Sequence, residues 1–357
     1  MQPKYQAIAS ELKIHIQAGK YKNVNMLPTE YFLMDEYQVS RQTIRQALAI
    51  LEKEGYIEKR RGSGSHIRRS AAPETVPHRH TIAVVTTYIS NYIFPSILRE
   101  VENVLSQNNC MTLLFATQNQ VSIERKVLQS LLDARIDGII TEGTKTAFPN
   151  PNLDLYRKLL EKKIPIVFIN GSYPQLQDAV SVLDDNEGGG QMLVEYLAAK
   201  GHKKIGGIFK SDDIQGHGRY AGYAKGLQKC GLTLDDSLTL WYNTELRSIF
   251  LSDAVIMPVL QRWKEEGCTA IVCYNDEMAC QLLPLLSRCG ISVPQDISVV
   301  SFDNSHLCKI GSPPITSLAH PGPNVGSVAA EKLLTLMNGG IASSESLPWE
   351  IRERASG

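Results

Sequence analysis

VSRQTIRQALAILEKEGYIEKRRGSG, residues 39–64, decides how the first part of this chain is read. Ser40 stands where a helix would begin, and its hydroxyl can accept a hydrogen bond from an otherwise orphan amide of the first turn. Ile44, Ala47, Leu48 and Leu51 recur at helical spacing and mark one apolar stripe. Arg41, Gln42, Arg45 and Gln46 fall off that stripe, near the positive end of the helix. Gly55 supplies the stop. A β-prone run from Tyr56 to Arg60 follows, then a glycine turn, Arg61-Gly62-Ser63-Gly64, and a return run, Ser65-His66-Ile67. The stretch reads as a DNA recognition helix with a basic-tipped hairpin wing.

Working outward, residues 4–18 place Tyr5, Ile8, Leu12 and Ile16 on one helical face, and Gly19 ends that helix. Pro28-Thr29-Glu30 opens a second, short helix with Thr29 as cap. Helix, helix, turn, helix, hairpin is the order of a winged helix-turn-helix. The wording resembles a known signature as well. Leu27-Pro28-Thr29-Glu30, residues 39–48, residues 51–57 and Arg61-Gly62-Ser63-Gly64 are similar to GntR-type repressors. The resemblance covers nearly all of residues 1–68. One departure is Ser65-His66, where that family has a hydroxyl residue and then an aromatic.

Contacts to double-stranded DNA can be argued from the residues themselves. Ser40 and Thr43 offer hydroxyls beside the amides of a helix N-terminus, which suits a phosphate. Arg41 and Arg45 are four apart, so both can face a major groove, where a guanidinium can donate two bonds to guanine. Arg61 with Gly62 and Gly64 would let the wing tip approach the duplex closely. The resemblance implies Lys4 and Glu30 as further contacts, and Tyr5 and Gln42 complete the expected DNA-binding set.

The whole chain of 357 residues has a formal charge of zero, but the charge is unevenly spread. Residues 1–70 hold 12 Lys/Arg and 7 Asp/Glu, a balance of +5, so the remainder carries −5. A basic head on an acidic body suits a polyanion-binding module joined to something else. The seven cysteines are odd in number, lack CxxC spacing and sit mostly in apolar runs. They read as buried, reduced thiols, not as metal ligands or disulfides. There is no basic segment followed by an apolar run at the start and no run long enough to span a membrane, so a cytoplasmic location is expected.

Residues 71–80, AAPETVPHRH, read as a linker, because Pro73 and Pro77 forbid a regular helix and no apolar face is present. His78 and His80 lack the partners a metal site needs. From Thr81 apolar strand-like runs alternate with amphipathic helices. The runs are 82–86, 111–116, 138–141, 165–170, 179–183, 205–209, 270–274 and 297–302; the helices include 95–107, 123–134, 186–200, 219–230 and 277–288. This is an α/β body of parallel sheets flanked by helices, too long for one compact sheet and therefore expected in two lobes.

Ligands in such sheets bind beyond the carboxyl ends of the strands. Those ends carry Tyr88, Tyr92 and Phe94, Glu142 and Lys145, Asn170, Asp184 to Asn186, Lys210 with Arg219 after it, Asn275, and Asp303. Aromatic faces, carboxylates, amides and cations together suit a polyol, whose hydroxyls both donate and accept. Asp184 and Asn186 read first as caps of the helix that follows them.

A second resemblance is carried by the segment Gly218-Arg219-Tyr220, by residues 273–279 and 293–304, and by Pro314-Ile315-Thr316-Ser317. These look like LacI/GalR-type regulators and periplasmic sugar-binding proteins, over roughly residues 80–350. A GntR-type head on a LacI-type body, with residues 86–95, resembles the arabinose repressor family. That resemblance implies a homodimeric repressor on palindromic operators, released by L-arabinose, with no cofactor and no metal. It implies sugar contacts from Tyr88, Tyr92, Asn170, Arg219, Asn275, Asp303 and His320, with Glu142 and Lys145 as pocket residues particular to the arabinose repressors. Lobe 1 is expected at about 81–182 and 321–339, and lobe 2 at about 183–320 and 340–357, with crossings near 182, 320 and 339. Another monosaccharide or a sugar phosphate is the alternative effector. A transport-type binding protein fits less well, because of the DNA-binding head. Enzyme readings find no support: there is no GxxxxGK[ST] loop, no dinucleotide fingerprint and no GxSxG elbow.

Overall fold

The computed structural model describes residues 3–17, 20–21, 26–60, 63–67, 79–177 and 179–357. Arg61, Gly62 and the linker up to residue 78 lie outside the described residues. The chain divides into two units, Met1–His78 and Arg79–Gly357.

The first unit holds α1 (Lys4–Gln17), α2 (Glu30–Tyr37), α3 (Arg41–Lys53), β1 (Ile57–Arg60) and β2 (Gly64–Ile67). The expected caps form: Thr29 Oγ1 accepts from Phe32 N at 3.3 Å and Ser40 Oγ from Thr43 N at 3.3 Å. Gln38, at φ 49, turns the chain between α2 and α3. The stripe Ile44, Ala47, Leu48 and Leu51 is buried against Ile8, Leu12, Leu33 and Ile57. β1 and β2 pair antiparallel, with Ile57 opposite Ile67 and Arg60 opposite Gly64. His66 does not disturb this return strand. It sits opposite Glu58, and its Nε2 lies 2.8 Å from Ser63 Oγ.

The second unit carries two parallel sheets. Lobe 1 contains β3 (His80–Thr86), α4 (Phe94–Gln107), β4 (Cys110–Ala116), α5 (Val121–Asp133), β5 (Gly138–Glu142), α6 (Leu153–Glu161), β6 (Ile166–Ile169) and β7 (Val180–Asp184). Lobe 2 contains α7 (Asn186–Ala199), β8 (Ile205–Lys210), α8 (Ile214–Lys229), β9 (Thr239–Tyr242), α9 (Arg247–Phe250) and α10 (Asp253–Glu265). It continues through β10 (Ala270–Cys273), α11 (Asp276–Arg288), β11 (Ser298–Phe302), α12 (Leu307–Ile310) and β12 (Thr316–Ala319). The chain then returns to lobe 1 with α13 (Val325–Met337) and β13 (Glu345–Leu347), and ends in lobe 2 with β14 (Glu350–Arg352).

The lobe 1 order is β13-β7-β6-β5-β3-β4, and that of lobe 2 is β14-β12-β11-β10-β8-β9. Only β14 runs antiparallel to its neighbour. His80, expected in the linker, pairs with Cys110 at the start of the first parallel ladder. The third crossing between lobes is not near 339. β13 extends the lobe 1 sheet beside β7, so the chain crosses between Leu347 and Glu350. Helices cover both faces of each sheet, which is why the strands are continuous apolar runs. Among the described residues no helix is long and apolar enough to cross a membrane.

Candidate functional site

In lobe 1 the strand order reverses between β3 and β5, and in lobe 2 between β8 and β10. Crevices open at such switch points, outside the carboxyl ends of the strands. The two face one cavity of about 210 Å³. Tyr88, Tyr92, Phe94, Glu142 and Asn170 line it from lobe 1, and Lys210, Arg219, Asn275 and Asp303 from lobe 2. Two expected members lie elsewhere. Lys145, at φ 47, instead pairs with Glu245 across the rim of the cleft. His320 lines a neighbouring cavity.

Arg219 is the most constrained of these residues. It was expected just after a strand end but lies in the second turn of α8, 1% exposed. Glycines bring it there. A Cβ on Gly190 would lie 2.3 Å from Arg219 O, and one on Gly222 would lie 2.0 Å from Glu187 O, so α7 and α8 cross with backbones in contact. The guanidinium donates to Asn186 Oδ1 at 2.9 Å, to Asp303 Oδ1 at 3.0 Å and to the Tyr274 carbonyl. Asp184 Oδ2 lies 3.7 Å away and the Phe302 ring 4.2 Å from it. Burial works to lower its pKa, but Asp303, Tyr274 and Asp184 more than offset that and raise it. The cap of α7 is Asp185, whose Oδ1 accepts from Gly188 N at 2.9 Å. Asp184 and Asn186, read first as caps, instead face the guanidinium.

The other charges are paired in the same way. Lys210 meets Asp213, with Asp212 at 3.5 Å. Burial lowers the pKa of its ammonium, and the two carboxylates raise it above its ordinary value. Arg247 forms a two-pronged bond to Glu277, at 2.9 and 2.8 Å. Glu142 has no cation among the described residues. It accepts from Thr87 N at 2.9 Å, from the Thr87 hydroxyl and from Asn170 Nδ2 at 2.9 Å. Burial still pushes its pKa up. Asn275 lines the cavity, but its Oδ1 is committed to capping α11 through Met278 N at 2.9 Å.

Sequence reading missed Gln215, Tyr242, Thr244 and Arg247. Tyr242 ends β9, a strand of four residues, and Arg247 begins α9, a helix of four. Neither element is long enough to show a period. The rim is closed by lobe-to-lobe bonds. Asn119 Nδ2 donates to Asp212 Oδ2 at 3.2 Å and to Thr244 Oγ1 at 2.7 Å, and Ile214 N donates to Thr146 Oγ1 at 3.0 Å.

In the first unit Arg41 and Arg45 share one carboxylate. Their Nε atoms lie 2.8 and 3.2 Å from Glu30 Oε2. Glu30, an expected DNA contact, accepts from both arginines, and Arg41 lowers its pKa most. Ser40, Gln42 and Gly64 are exposed and Thr43 half-buried, Ser40 and Thr43 hydroxyls 2.9 Å apart. Lys4 is exposed at the start of α1. Tyr5 packs partly on the core of this unit. Arg61 and Gly62 lie outside the described residues.

Residues 4–67 match the gntR family of bacterial regulatory proteins, and residues 194–356 match the periplasmic binding protein-like domain. The chain is 38% identical to an arabinose metabolism transcriptional repressor of Geobacillus stearothermophilus, over 94% of this chain and 91% of that protein. It is 35% identical to a protein of the same description from Halalkalibacterium halodurans, over 94% and 89%. Among solved structures, transcription regulator CcpA of Lactococcus lactis superposes with a TM-score of 0.67 at 26% identity, covering 78% of this chain and 98% of that one. These relatives are regulators, not enzymes.

Proposed function

The chain belongs to the arabinose metabolism transcriptional repressor family, and on that premise we propose that it represses arabinose-utilisation genes and is released from its operators by L-arabinose. The observation that carries this reading is the interlobe cavity. Its cations are each held by a carboxylate, while the Glu142 carboxylate, unpaired with a cation, and the rings of Tyr88 and Phe94 are left to meet a neutral polyol. A sugar phosphate would find few uncommitted cations there, which favours a plain monosaccharide.

Sugar bound between the lobes favours one lobe arrangement, and operator DNA favours another. By reciprocity, operator binding weakens sugar binding by the same factor. In the head, Glu30 holds Arg41 and Arg45 ready for base edges, with Ser40, Thr43 and the wing placed for phosphates. The working form is a homodimer on a palindromic site, in the cytoplasm. Exposed Met111 and Leu114 on the edge strand β4 support a subunit contact. Calorimetry with L-arabinose against a panel of pentoses and hexoses tests the effector. Binding to duplex from the arabinose-gene promoters, with and without the sugar, tests release. Equal operator affinity in both conditions would overturn the reading.

A further inference from the structure

Tyr92 belongs to the walls of two cavities. One is the chamber of about 210 Å³ described above. The other, of about 520 Å³, lies beside it and is lined by Pro95, Lys309 and Asn324, among others. The two share Tyr92, Ile93, Asn170 and Asp303. Tyr92 comes from lobe 1, in the turn before α4, and its hydroxyl reaches lobe 2. There it donates to Asp303 Oδ2 at 2.6 Å and accepts from Asp276 N at 3.2 Å. The ring therefore spans the cleft from one lobe to the other.

Its backbone sits at φ 59, where a bulky residue carries strain that glycine does not. Nothing in local turn formation requires an aromatic side chain at such a position; a small residue would make the turn more easily. The ring has to be explained by what it does in the cleft. With it in place, the first chamber is smaller than the about 300–1,000 Å³ of pockets that hold drug-sized ligands. Of the four residues that line both chambers, its ring is the largest, so its removal would open most room between them.

We propose that Tyr92 is a partition that sets the upper size of the effector, admitting one sugar ring and excluding a second one joined to it. This inference rests on the sugar-binding reading above. Two-ring sugars would need the space behind Tyr92, and the cost of displacing it includes losing the hydroxyl's bonds to Asp303 and to the Asp276 amide.

The test is calorimetry with L-arabinose and with xylobiose, a disaccharide of two pentose rings, on the full chain. The parent should bind the first and give no measurable heat with the second. Tyr92→Gly relieves the backbone and opens the wall. Xylobiose should then give a measurable titration, a gain of at least the about 10- to 200-fold by which one methylene's worth of room discriminates. Tyr92→Phe keeps the ring and should still reject xylobiose. If the glycine variant does not fold, Tyr92→Asn, also at ease at positive φ, gives the same comparison. A folded small-residue variant that binds L-arabinose and still rejects xylobiose would overturn the partition alone. So would a phenylalanine variant that admits xylobiose as well as the glycine one does. A parent that binds no monosaccharide would overturn the sugar reading and this inference with it.

Discussion

Arginines in the two units are held by carboxylates in opposite surroundings. Arg219 is sealed between Asp303 and Asp184, while Arg41 and Arg45 share Glu30 with side chains about half exposed, at 49% and 57%. A buried guanidinium cannot exchange its partners for water, so its acceptors are fixed whether or not a ligand is present. An exposed one can give up its carboxylate when a base or phosphate competes, because such a pair is worth little in water. The buried cluster therefore shapes a pocket, and the exposed one holds side chains ready without committing them.

The sharpest way to break this comparison is Arg219→Ala. It removes donors on the sugar-facing wall and leaves Asp303 without its cation and Asp184 with only His320 and Gln215 as partners. Sugar affinity should fall by ~2–5 kcal/mol, as for a truncated hydrogen-bonded charge pair. The body should also melt earlier. Head binding to duplex without sugar should survive, which gives a repressor that cannot be induced. Calorimetry and operator binding measure the two halves. Near-normal sugar affinity would mean that Arg219 only braces α7 against α8.

Glu142→Gln asks whether the carboxylate without a cation is the sugar's acceptor. The amide can take Thr87's bonds through its oxygen, but its NH₂ faces the Asn170 amide as a second donor. Loss of a hydrogen bond to a charged group costs ~1.5–3 kcal/mol. Sugar affinity should drop by about that much with operator affinity unchanged. An unaltered calorimetric titration would remove Glu142 from the sugar's contacts.

On the exposed side, Arg45→Ala should weaken operator binding by ~1–3 kcal/mol, the worth of a bidentate base contact. Sugar affinity should stay put, and the head should lose no measurable stability, because its pair with Glu30 is exposed. A loss that is equal on all duplex sequences would make Arg45 a phosphate contact instead.

Much of this was legible in the sequence, and the misses have physical causes. The eight apolar runs all became strands, mostly because a parallel strand covered on both faces must be apolar throughout; edge strand β4 is apolar although Met111 and Leu114 are exposed. The recognition helix was legible because Ser40 caps it and its stripe has a clear period. β9 and β12 to β14 were not foreseen. They are three or four residues long, too short to show a pattern. That is why Tyr242 was missed and why the last crossing was misplaced; Arg247 was missed because α9 is equally short, at four residues. Lys145, at the rim and not among the cavity's lining, is a separate case. Resemblance places a residue near a cleft but does not say whether it faces the cavity or the rim.

The smallest effect expected is at the hinge, where buried and exposed behaviour meet. His320 is on the second crossing, and it touches the other two. Its ring stacks on Trp349 at 4.0 Å, its Nδ1 lies 3.1 Å from Pro348 O, and its Nε2 lies 3.1 Å from Asp184 Oδ1. Asp184 in turn faces Arg219. Burial works to lower the imidazole pKa, but the bond to Asp184 prevails and raises it. A group whose pKa is raised on folding stabilises the fold fully below its unfolded value, and the gain is lost as pH rises through the folded one. The melting temperature of the parent should therefore fall as pH is raised from below about 6.5, the unperturbed histidine value, and the fall attributable to His320 should be absent in His320→Gln. A hydrogen bond is worth about 1 kcal/mol, so the difference should be about 2–4 °C. Parallel melting curves for parent and variant across pH would show that the hinge is held by stacking on Trp349 alone.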